Sequence, residues 1–292
     1  MPFPSIHAND DVEAKHAANH QDTEPPASFV DGPTNHLDIF SVDPELGEHF
    51  EGDILLSPYQ KLAIETDTDL SERNGLISST KRWPNRTVVY HIVQDDFDEE
   101  QLQMIKDAMN DIANKSCIKF RPKEKDEHAV TIQGSECGCF SSVGLQNEGH
   151  KEGDEEPQLL NLSSNCFKKY GTIVHEILHT LGFYHMQSTY DRDEFVKIVW
   201  ENIEPGKEHN FKKYTVNTVT DFGVSYDYGS VMHYPEKAFS NNGNKTIIPL
   251  QENVEIGQRE GMSESDVIKL NRMYCEESGE PISYITDTLK EK

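Results

Sequence analysis

The sequence predicts an α+β fold in a chain of 292 residues. Strand patterns and helix patterns are mixed without the regular βαβ alternation of a parallel α/β protein. Hydrophobic residues make up only 35%, but 13 Phe, 11 Tyr and 2 Trp are enough for a core. Residues 1–73 contain 16 acidic and 3 basic residues, which is about half of the net charge of −25. We therefore expect one folded domain behind a distinct acidic segment.

The acidic segment, residues 1–73, is predicted to be largely extended or disordered. Its first 49 residues contain six prolines and show little apolar periodicity. A short helix is expected around Ser57–Thr66. The stretch from Arg73 to Trp83 is the predicted boundary, so that the folded domain covers residues 74–275 and a loose tail covers residues 276–292.

Within the folded domain, β-branched and aromatic residues predict a strand at Thr87–Val93. Apolar residues at helical spacing predict a helix over Asp98–Lys115. Further short strands are expected at Cys117–Phe120, Ala129–Ile132 and Gln158–Leu162, with an acidic surface loop at Glu148–Glu156. A buried helix follows at Gly171–Leu181, and a last helix with a serine at its start is predicted at Ser263–Tyr274.

Composition limits the partners. The acidic balance argues against nucleic-acid binding, which needs clustered Lys and Arg, and against anionic membrane surfaces. No apolar stretch approaches the roughly 18–20 residues of a membrane-spanning helix. Met1–His20 has neither the basic start nor the apolar run of a signal peptide. The chain is therefore already processed, leaves the cell by another route, or stays inside.

Five widely spaced cysteines do not form the paired knuckles of a zinc ribbon. Four of them with one left over suit a secreted enzyme with two disulfides. Four N-x-S/T triplets fit a secretory route, although such short motifs also arise by chance. The glycosylation candidates are Asn85, Asn114, Asn161 and Asn244.

The most informative stretch is TIVHEILHTLGFYHMQ, residues 172–187. His175 and His179 are four residues apart, so both imidazoles project from one face of a helix and can reach one metal ion. Gly182 can adopt positive φ, which ends the helix and turns the chain so that His185 becomes a third ligand. Three neutral imidazoles leave a tetrahedral Zn²⁺ with an open position for water. Glu176 is placed to lean over that open side.

A second element lies downstream at YDYGSVMHY, residues 226–234. In zinc proteases with the long histidine motif, a methionine-containing turn lies beneath the three imidazoles. Standing alone, Met232 is best explained as a core residue. Together with the histidine motif it is a candidate for this supporting turn.

These motifs resemble those of the astacin family of zinc endopeptidases, which are metzincins. The matching residues are HEILHTLGFYH, YDRDEFVKIVWENI from Tyr190, and SVMHY from Ser230. The resemblance covers about Arg73 to Cys275. It implies a twisted mixed sheet with two long helices in the N-terminal half, a zinc cleft, and a mostly irregular C-terminal half with a terminal helix. It also implies one zinc ion per chain and makes Tyr234 a movable additional ligand.

The same resemblance gives the acidic segment a function. FEGD at residues 50–53 is similar to the family's prosegment motif, in which the aspartate occupies the water position on zinc in the zymogen. Asp53 is the candidate, since a carboxylate is a good zinc ligand. Cleavage after Arg73 by a trypsin-like protease would make Asn74 the new N-terminus.

The cysteine pairing is also implied by the resemblance. Cys117 is expected to pair with Cys275 and Cys139 with Cys166. Cys137 is then left over, or it takes the place of Cys139.

Two further positions bear on the comparison with the family. The family usually has Glu after the third histidine, where it contacts the new N-terminal ammonium, and here Met186 stands in its place. A thioether cannot accept that charge-assisted hydrogen bond, so N-terminal insertion is in doubt.

Arg259 is a possible match to a basic residue that selects an acidic residue after the cut, or it is an ordinary surface arginine.

The sequence therefore predicts a secreted, monomeric metalloendopeptidase that hydrolyses protein substrates. Glu176 is the expected general base, and Tyr234 donates a hydrogen bond to the oxyanion. The alternative is a catalytically inactive or permanently latent zinc-binding relative that acts as a binding protein.

Overall fold

The computed structural model describes residues 43–66, 82–125, 127–146, 158–215 and 220–275. The chain divides into Met1–Asn35 and His36–Lys292, and all described residues belong to the second unit. The Arg73–Asn74 bond, the predicted loop Glu148–Glu156 and the tail 276–292 lie outside the described residues. Among the described residues, every helix is too short or too polar to cross a lipid bilayer.

Six strands form one mixed sheet in the order β1-β5-β6-β4-β2-β3. The β5–β6 pair is antiparallel and the other four pairs are parallel. The strands are Ile54–Leu55 (β1), Thr87–Ile92 (β2), Lys119–Pro122 (β3), Val130–Gln133 (β4), Cys139–Ser142 (β5) and Gln158–Leu162 (β6). The strands expected from the sequence at β2, β3, β4 and β6 are confirmed. The sequence did not indicate β5, because its four residues are all buried and show no alternation.

Four α-helices accompany the sheet within the described residues: Pro58–Thr66 (α1), Glu99–Asn114 (α2), Tyr170–Leu181 (α3) and Glu264–Tyr274 (α4). All four were predicted. Asp98 caps α2 through a reciprocal capping box with Gln101. One face of α2 is buried, whereas α3 is buried from Gly171 to Leu181. A side chain at Gly171 would lie 2.1 Å from the main-chain carbon of Arg259, so only glycine fits where α3 begins.

The C-terminal half has little regular structure besides α4. Val196–Ile198 (β7) and Ile247–Pro249 (β8) form a small antiparallel sheet, and several single 3₁₀ turns connect the rest. A second hydrophobic cluster, which includes Phe211, Tyr234 and Phe239, fills this half. The main core lies around α2, α3 and the six-stranded sheet. The predicted α+β class, with a regular N-terminal half and an irregular C-terminal half, is confirmed.

Two disulfides join the pairs expected from the resemblance. Cys117–Cys275 connects the chain just after α2 to the residue that follows α4, and Cys139–Cys166 connects β5 to the turn before α3. Cys137 is exposed and has no disulfide partner.

One glycosylation candidate is incompatible with the fold. Asn161 is fully buried in β6, and its side-chain amide donates hydrogen bonds to the carbonyl oxygens of Glu136 and Gly138 at 3.0 and 2.8 Å. A glycan on this nitrogen would replace one of the two donated hydrogens and could not fit in the buried site, so the expectation for Asn161 is wrong. Asn85, Asn114 and Asn244 are exposed.

Candidate metal centre

Helix α3 carries the first two candidate ligands and the turn after it delivers the third. The helix ends at Gly182, which has φ +109°, and the amide of Phe183 donates back to the carbonyl of Leu178. This turn brings His185 toward the helix. Its Nε2 atom lies 3.3 Å from Nε2 of His175, which in turn lies 3.0 Å from Nε2 of His179.

The outer nitrogens of the three imidazoles are held by hydrogen bonds. Nδ1 of His175 bonds the carbonyl of Val231 at 2.8 Å, and Nδ1 of His179 bonds the carbonyl of Phe183 at 2.7 Å. A carbonyl oxygen can only accept, so each Nδ1 carries the proton and each Nε2 presents its lone pair to the centre. Nδ1 of His185 bonds the carboxylate of Glu51 at 2.8 Å.

Asp53 completes the group of donors. Its carboxylate lies 3.1 Å from Nε2 of His175, 3.3 Å from Nε2 of His185 and 3.5 Å from Nε2 of His179. Ligands at 2.0–2.1 Å around a tetrahedral zinc ion lie about 3.3 Å apart, so these four donors fit one ion. Lone pairs facing one another in a buried group repel unless a cation lies between them. The donor set therefore fits zinc.

Glu176 projects from α3 beside this group. Both of its carboxylate oxygens are buried without a hydrogen-bond partner among the described residues. Burial, together with the negative charges of Asp53 and Glu45, raises the pKa of Glu176 well above its ordinary value. A buried carboxyl group with two open acceptor positions beside a metal site is suited to exchange protons.

Residues 43–55, here called the covering segment, pack over the centre. Gly52 has φ +88°, and a side chain there would lie 2.6 Å from the carbonyl oxygen of Glu45. This tight turn places Asp53 over the imidazoles and lets β1 pair with β5. The carbonyls of Pro44 and Asp53 accept hydrogen bonds from the amides of Cys139 and Ser141 at 2.9 and 2.8 Å. The covering segment thus takes up the open edge of β5.

Arg259 is buried beneath the covering segment and is not a surface residue. Its Nε atom donates to the carboxylate of Glu45 at 2.7 and 2.9 Å, and Nη2 bonds the same carboxylate. Burial would raise the pKa of Glu45, but the charge of Arg259, its hydrogen bonds and the charge of His175 together outweigh burial and lower the pKa to about 2. The two side chains form an enclosed ion pair.

The Met232 turn is hydrogen-bonded to His175 and to the residue after His185. The carbonyl of Met232 accepts a hydrogen bond from the amide of Met186 at 3.0 Å. Asp266 in α4 supports the turn, since its carboxylate accepts bonds from Ser230 Oγ at 2.6 Å and from the amide of Val231 at 2.9 Å. The carbonyl of this same Val231 holds His175.

Tyr234 lies beside the third histidine. Its hydroxyl donates to the main-chain carbonyl of Glu51, and its ring centroid lies 4.7 Å from that of His185. The structure thus places the tyrosine next to a ligand but bonds its hydroxyl to the covering segment.

Met186, the residue after His185, contacts a positively charged lysine side chain. Nζ of Lys269 in α4 donates to Sδ of Met186 at 3.2 Å, and both side chains are buried. The sequence indicated the loss of an acceptor at Met186 but not the lysine beside it.

Sequence reasoning also missed Glu45, Glu51, Ser188 and Asp266. Two signals existed: Asp266 belongs to the capping box of α4, where Ser263 and Asp266 bond each other's main chain, and Glu51 lies within the FEGD motif, which pointed only to Asp53. The partners of Glu45, Glu51 and Ser188 are more than one hundred positions away along the chain, and no local pattern reveals such contacts.

A family model matches residues 75–275 of the chain; it describes astacin, a family of peptidases. Zinc metalloproteinase nas-13 from Caenorhabditis elegans is 39% identical over 233 residues, which are 77% of this chain and 50% of that protein. Seminal metalloprotease 1 from Drosophila melanogaster is 38% identical over 252 residues, which are 84% and 94% of the two chains. This chain thus spans about half of the worm relative and nearly all of the fly relative.

Among solved structures, the fold is similar to high choriolytic enzyme 1, a hatching enzyme zinc-protease from Oryzias latipes. The TM-score is 0.58 at 32% identity, and the match covers 66% of this chain and 92% of that one.

Proposed function

This chain belongs to the astacin family of zinc peptidases, and we propose that it is a secreted zinc endopeptidase made as a latent zymogen. The observation that carries the latency is the buried carboxylate of Asp53 within 3.1–3.5 Å of all three imidazole nitrogens. A carboxylate in this position takes the coordination site that a water molecule needs.

His175, His179 and His185 would hold the zinc ion, which supplies a Lewis acid for the scissile carbonyl and lowers the pKa of a water molecule to about 7. Glu176 is the proposed general base. Its open oxygens accept a proton from the attacking water and return it to the nitrogen of the leaving amine. Tyr234, once its hydroxyl leaves the carbonyl of Glu51, is proposed to donate a hydrogen bond to the developing oxyanion.

The edge of β5 is the proposed substrate-binding strand. Removal of the covering segment frees the amides of Cys139 and Ser141, which now bond its carbonyls. An extended peptide can take over such bonds by adding a strand to the sheet. Protein segments in extended conformation are therefore the proposed substrates.

Arg259 is proposed to select an acidic substrate residue next to the cut. The enclosed carboxylate of Glu45 supports this, because it shows that a glutamate side chain can reach the guanidinium group. Profiling cleavage sites of wild type and Arg259→Glu tests the assignment. A loss of acidic preference is expected, and an unchanged profile would remove the proposal.

Activation is proposed to follow cleavage between Arg73 and Asn74 by a trypsin-like protease. We propose that the new N-terminal ammonium is not needed in this chain. Met186 offers no carboxylate, and the ammonium group of Lys269 already lies against it. Active chains that begin one or two residues before or after Asn74 should therefore cleave at similar rates, whereas a loss above tenfold would contradict this.

The decisive experiment starts from the full chain, which is proposed to be a monomer glycosylated at one or more of Asn85, Asn114 and Asn244. One zinc per chain is expected by metal analysis, with little casein hydrolysis. Mild trypsin treatment should raise hydrolysis strongly, a chelator should abolish it, and N-terminal sequencing should find Asn74. A zinc-loaded and correctly cut chain without chelator-sensitive activity would instead support the non-catalytic binding protein.

A further inference from the structure

Glu51 contacts the metal centre through both its side chain and its main chain. It is fully buried and has φ +48°, so its backbone lies in the left-handed region just before Gly52. Two successive left-handed residues reverse the chain tightly. As a result the side chains of Glu51 and Asp53 approach the same imidazole, His185, from its two nitrogens.

The carboxylate of Glu51 is held by two donors. One oxygen lies 2.8 Å from Nδ1 of His185, and the other accepts from Oγ of Ser188 at 2.6 Å. The other two histidines bond main-chain carbonyls of the folded domain. His185 is therefore the one ligand of the three whose outer nitrogen bonds the covering segment.

The main chain of Glu51 makes a third contact, because its carbonyl accepts from the hydroxyl of Tyr234. One residue of the covering segment thus engages a metal ligand, a serine beside it and the tyrosine proposed for catalysis. A carboxylate on the outer nitrogen of a ligating histidine fixes its orientation and makes the metal-binding nitrogen more basic.

We propose that Glu51 is a second locking residue of the latent chain: its side chain strengthens metal binding through His185, and its carbonyl keeps Tyr234 away from the metal. The inference rests on the proposed latency. Asp53 blocks the metal, whereas Glu51 is a positioning residue that acts through His185 and Tyr234. Departure of the segment removes both constraints in one event.

The test is the rate at which zinc passes from the full chain to a colorimetric chelator, which requires no proteolysis. Loss of an outer-nitrogen partner commonly costs about 10–100-fold in metal affinity, so Glu51→Ala should release zinc at least tenfold faster than wild type. Glu51→Gln keeps an oxygen acceptor but loses the charge, so its rate should lie between the two. If Glu51→Ala does not fold, the zinc release rate of Glu51→Gln tests the proposal by itself.

Glu48→Ala is the matched control. It removes a carboxylate of the same segment that is exposed and pairs with Lys207 at 2.7 Å. Its release rate should equal that of wild type. A Glu51→Gln rate equal to wild type, or a Glu51→Ala rate equal to the Glu48 control, would overturn the proposal.

Cleavage supplies an internal control, because removal of residues 1–73 leaves wild type and Glu51→Ala chemically identical. Their release rates should then coincide, and a remaining difference would show a folding defect and overturn the assignment. The proposed latency is tested separately, since it fails if the uncut wild type already hydrolyses casein as fast as the cut chain.

The Tyr234 contact has its own readout in a Glu176→Gln background, where self-cleavage is suppressed. Tyr234→Phe removes a hydrogen bond to the covering segment, which is worth about 1 kcal/mol, or about fivefold in the equilibrium between closed and open segment. Hydrogen exchange of the amides in residues 43–55 should therefore be several times faster in the full chain. An unchanged rate would overturn this part of the proposal.

Discussion

The site depends on a few buried carboxyl groups, and each has a different environment. Asp53 is surrounded by three imidazoles, Glu45 by a guanidinium group, and Glu176 has no hydrogen-bond partner among the described residues. A buried carboxyl group without a partner is costly. That cost is explained if Glu176 is kept for proton transfer.

Glu176→Gln tests this role. The amide retains the shape of the side chain but cannot accept a proton, so turnover of the activated chain should fall by about 10²–10⁴-fold while zinc content stays at one per chain. Casein hydrolysis and metal analysis are the measurements. Glu201→Gln, the same change at an exposed position, should leave both unchanged. Equal cleavage by Glu176→Gln and wild type would show that another group is the base.

The ion pair of Glu45 with Arg259 predicts a pH dependence. The pKa of Glu45 falls from an ordinary 4.5 to about 2 in the folded chain. Its contribution to stability is therefore fully present above pH 4.5 and is lost as the pH falls toward 2. Asp43 contributes an opposite trend in this range, because burial and the charge of Glu45 raise its pKa from 3.8 to about 7 in the folded chain, while in the unfolded chain it still loses its proton near pH 3.8.

The measurement is the unfolding free energy of the full chain and of Glu45→Gln, obtained with urea at several pH values. The wild type should be the more stable at pH 4.5, and the difference should shrink steadily toward pH 2. A difference that stays constant over this range would contradict the ion pair.

At the scale of elements, α4 supports the metal centre from a distance. Its first turn carries Asp266, whose carboxylate bonds the Met232 turn, and that turn holds His175 through Val231. Its last turn is followed by Cys275, which is joined to Cys117. The helix thus connects the ligand support to the chain just after α2.

Asp266→Asn should weaken this connection. The amide can keep its oxygen toward the main-chain amides of Val231 and Ser263, but it loses the negative charge and replaces the acceptor of Ser230 Oγ with a donor, so about 1–3 kcal/mol is lost. Urea unfolding measures the loss, and zinc should also leave the activated chain faster. Glu264→Gln, at an exposed position in the same turn, is the control and should change neither. A wild-type stability for Asp266→Asn would show that the turn does not depend on this carboxylate.

At the scale of the whole molecule, the two disulfides close loops of very different length. Cys117–Cys275 spans 158 residues and Cys139–Cys166 spans 27. In the chain-entropy model each disulfide lowers the conformational entropy of the unfolded chain. The resulting stabilisation of the folded chain is about 5 kcal/mol for the long loop and about 3–4 kcal/mol for the short one.

Replacing both cysteines of a pair with serine should therefore destabilise the chain more for the long loop than for the short one. Urea unfolding under non-reducing conditions measures the loss in free energy of unfolding for both replacements. Equal losses, or a larger loss for Cys139–Cys166, would show that local packing and not loop closure dominates.

The features that the sequence predicted well are local ones. Spacing along α3 placed His175 and His179 on one face, and Gly182 indicated the turn to His185. Apolar periodicity located α2 and α4 within one or two residues. The sequence did not predict the four-residue strand β5, because so short a segment carries no periodicity. It also did not predict the burial of Asn161, because a three-residue motif contains no information about what packs against it.

The sequence by itself determined the metal-binding histidines, the candidate base and, through the family's motifs, the cysteine pairs. Only the tertiary structure decided what lies against them. Asp53 meets His175 from 122 positions away, and Glu45 meets Arg259 from 214 positions away. The physical reason is that periodicity and caps act within a few residues, whereas contacts between distant segments depend on how the whole chain packs.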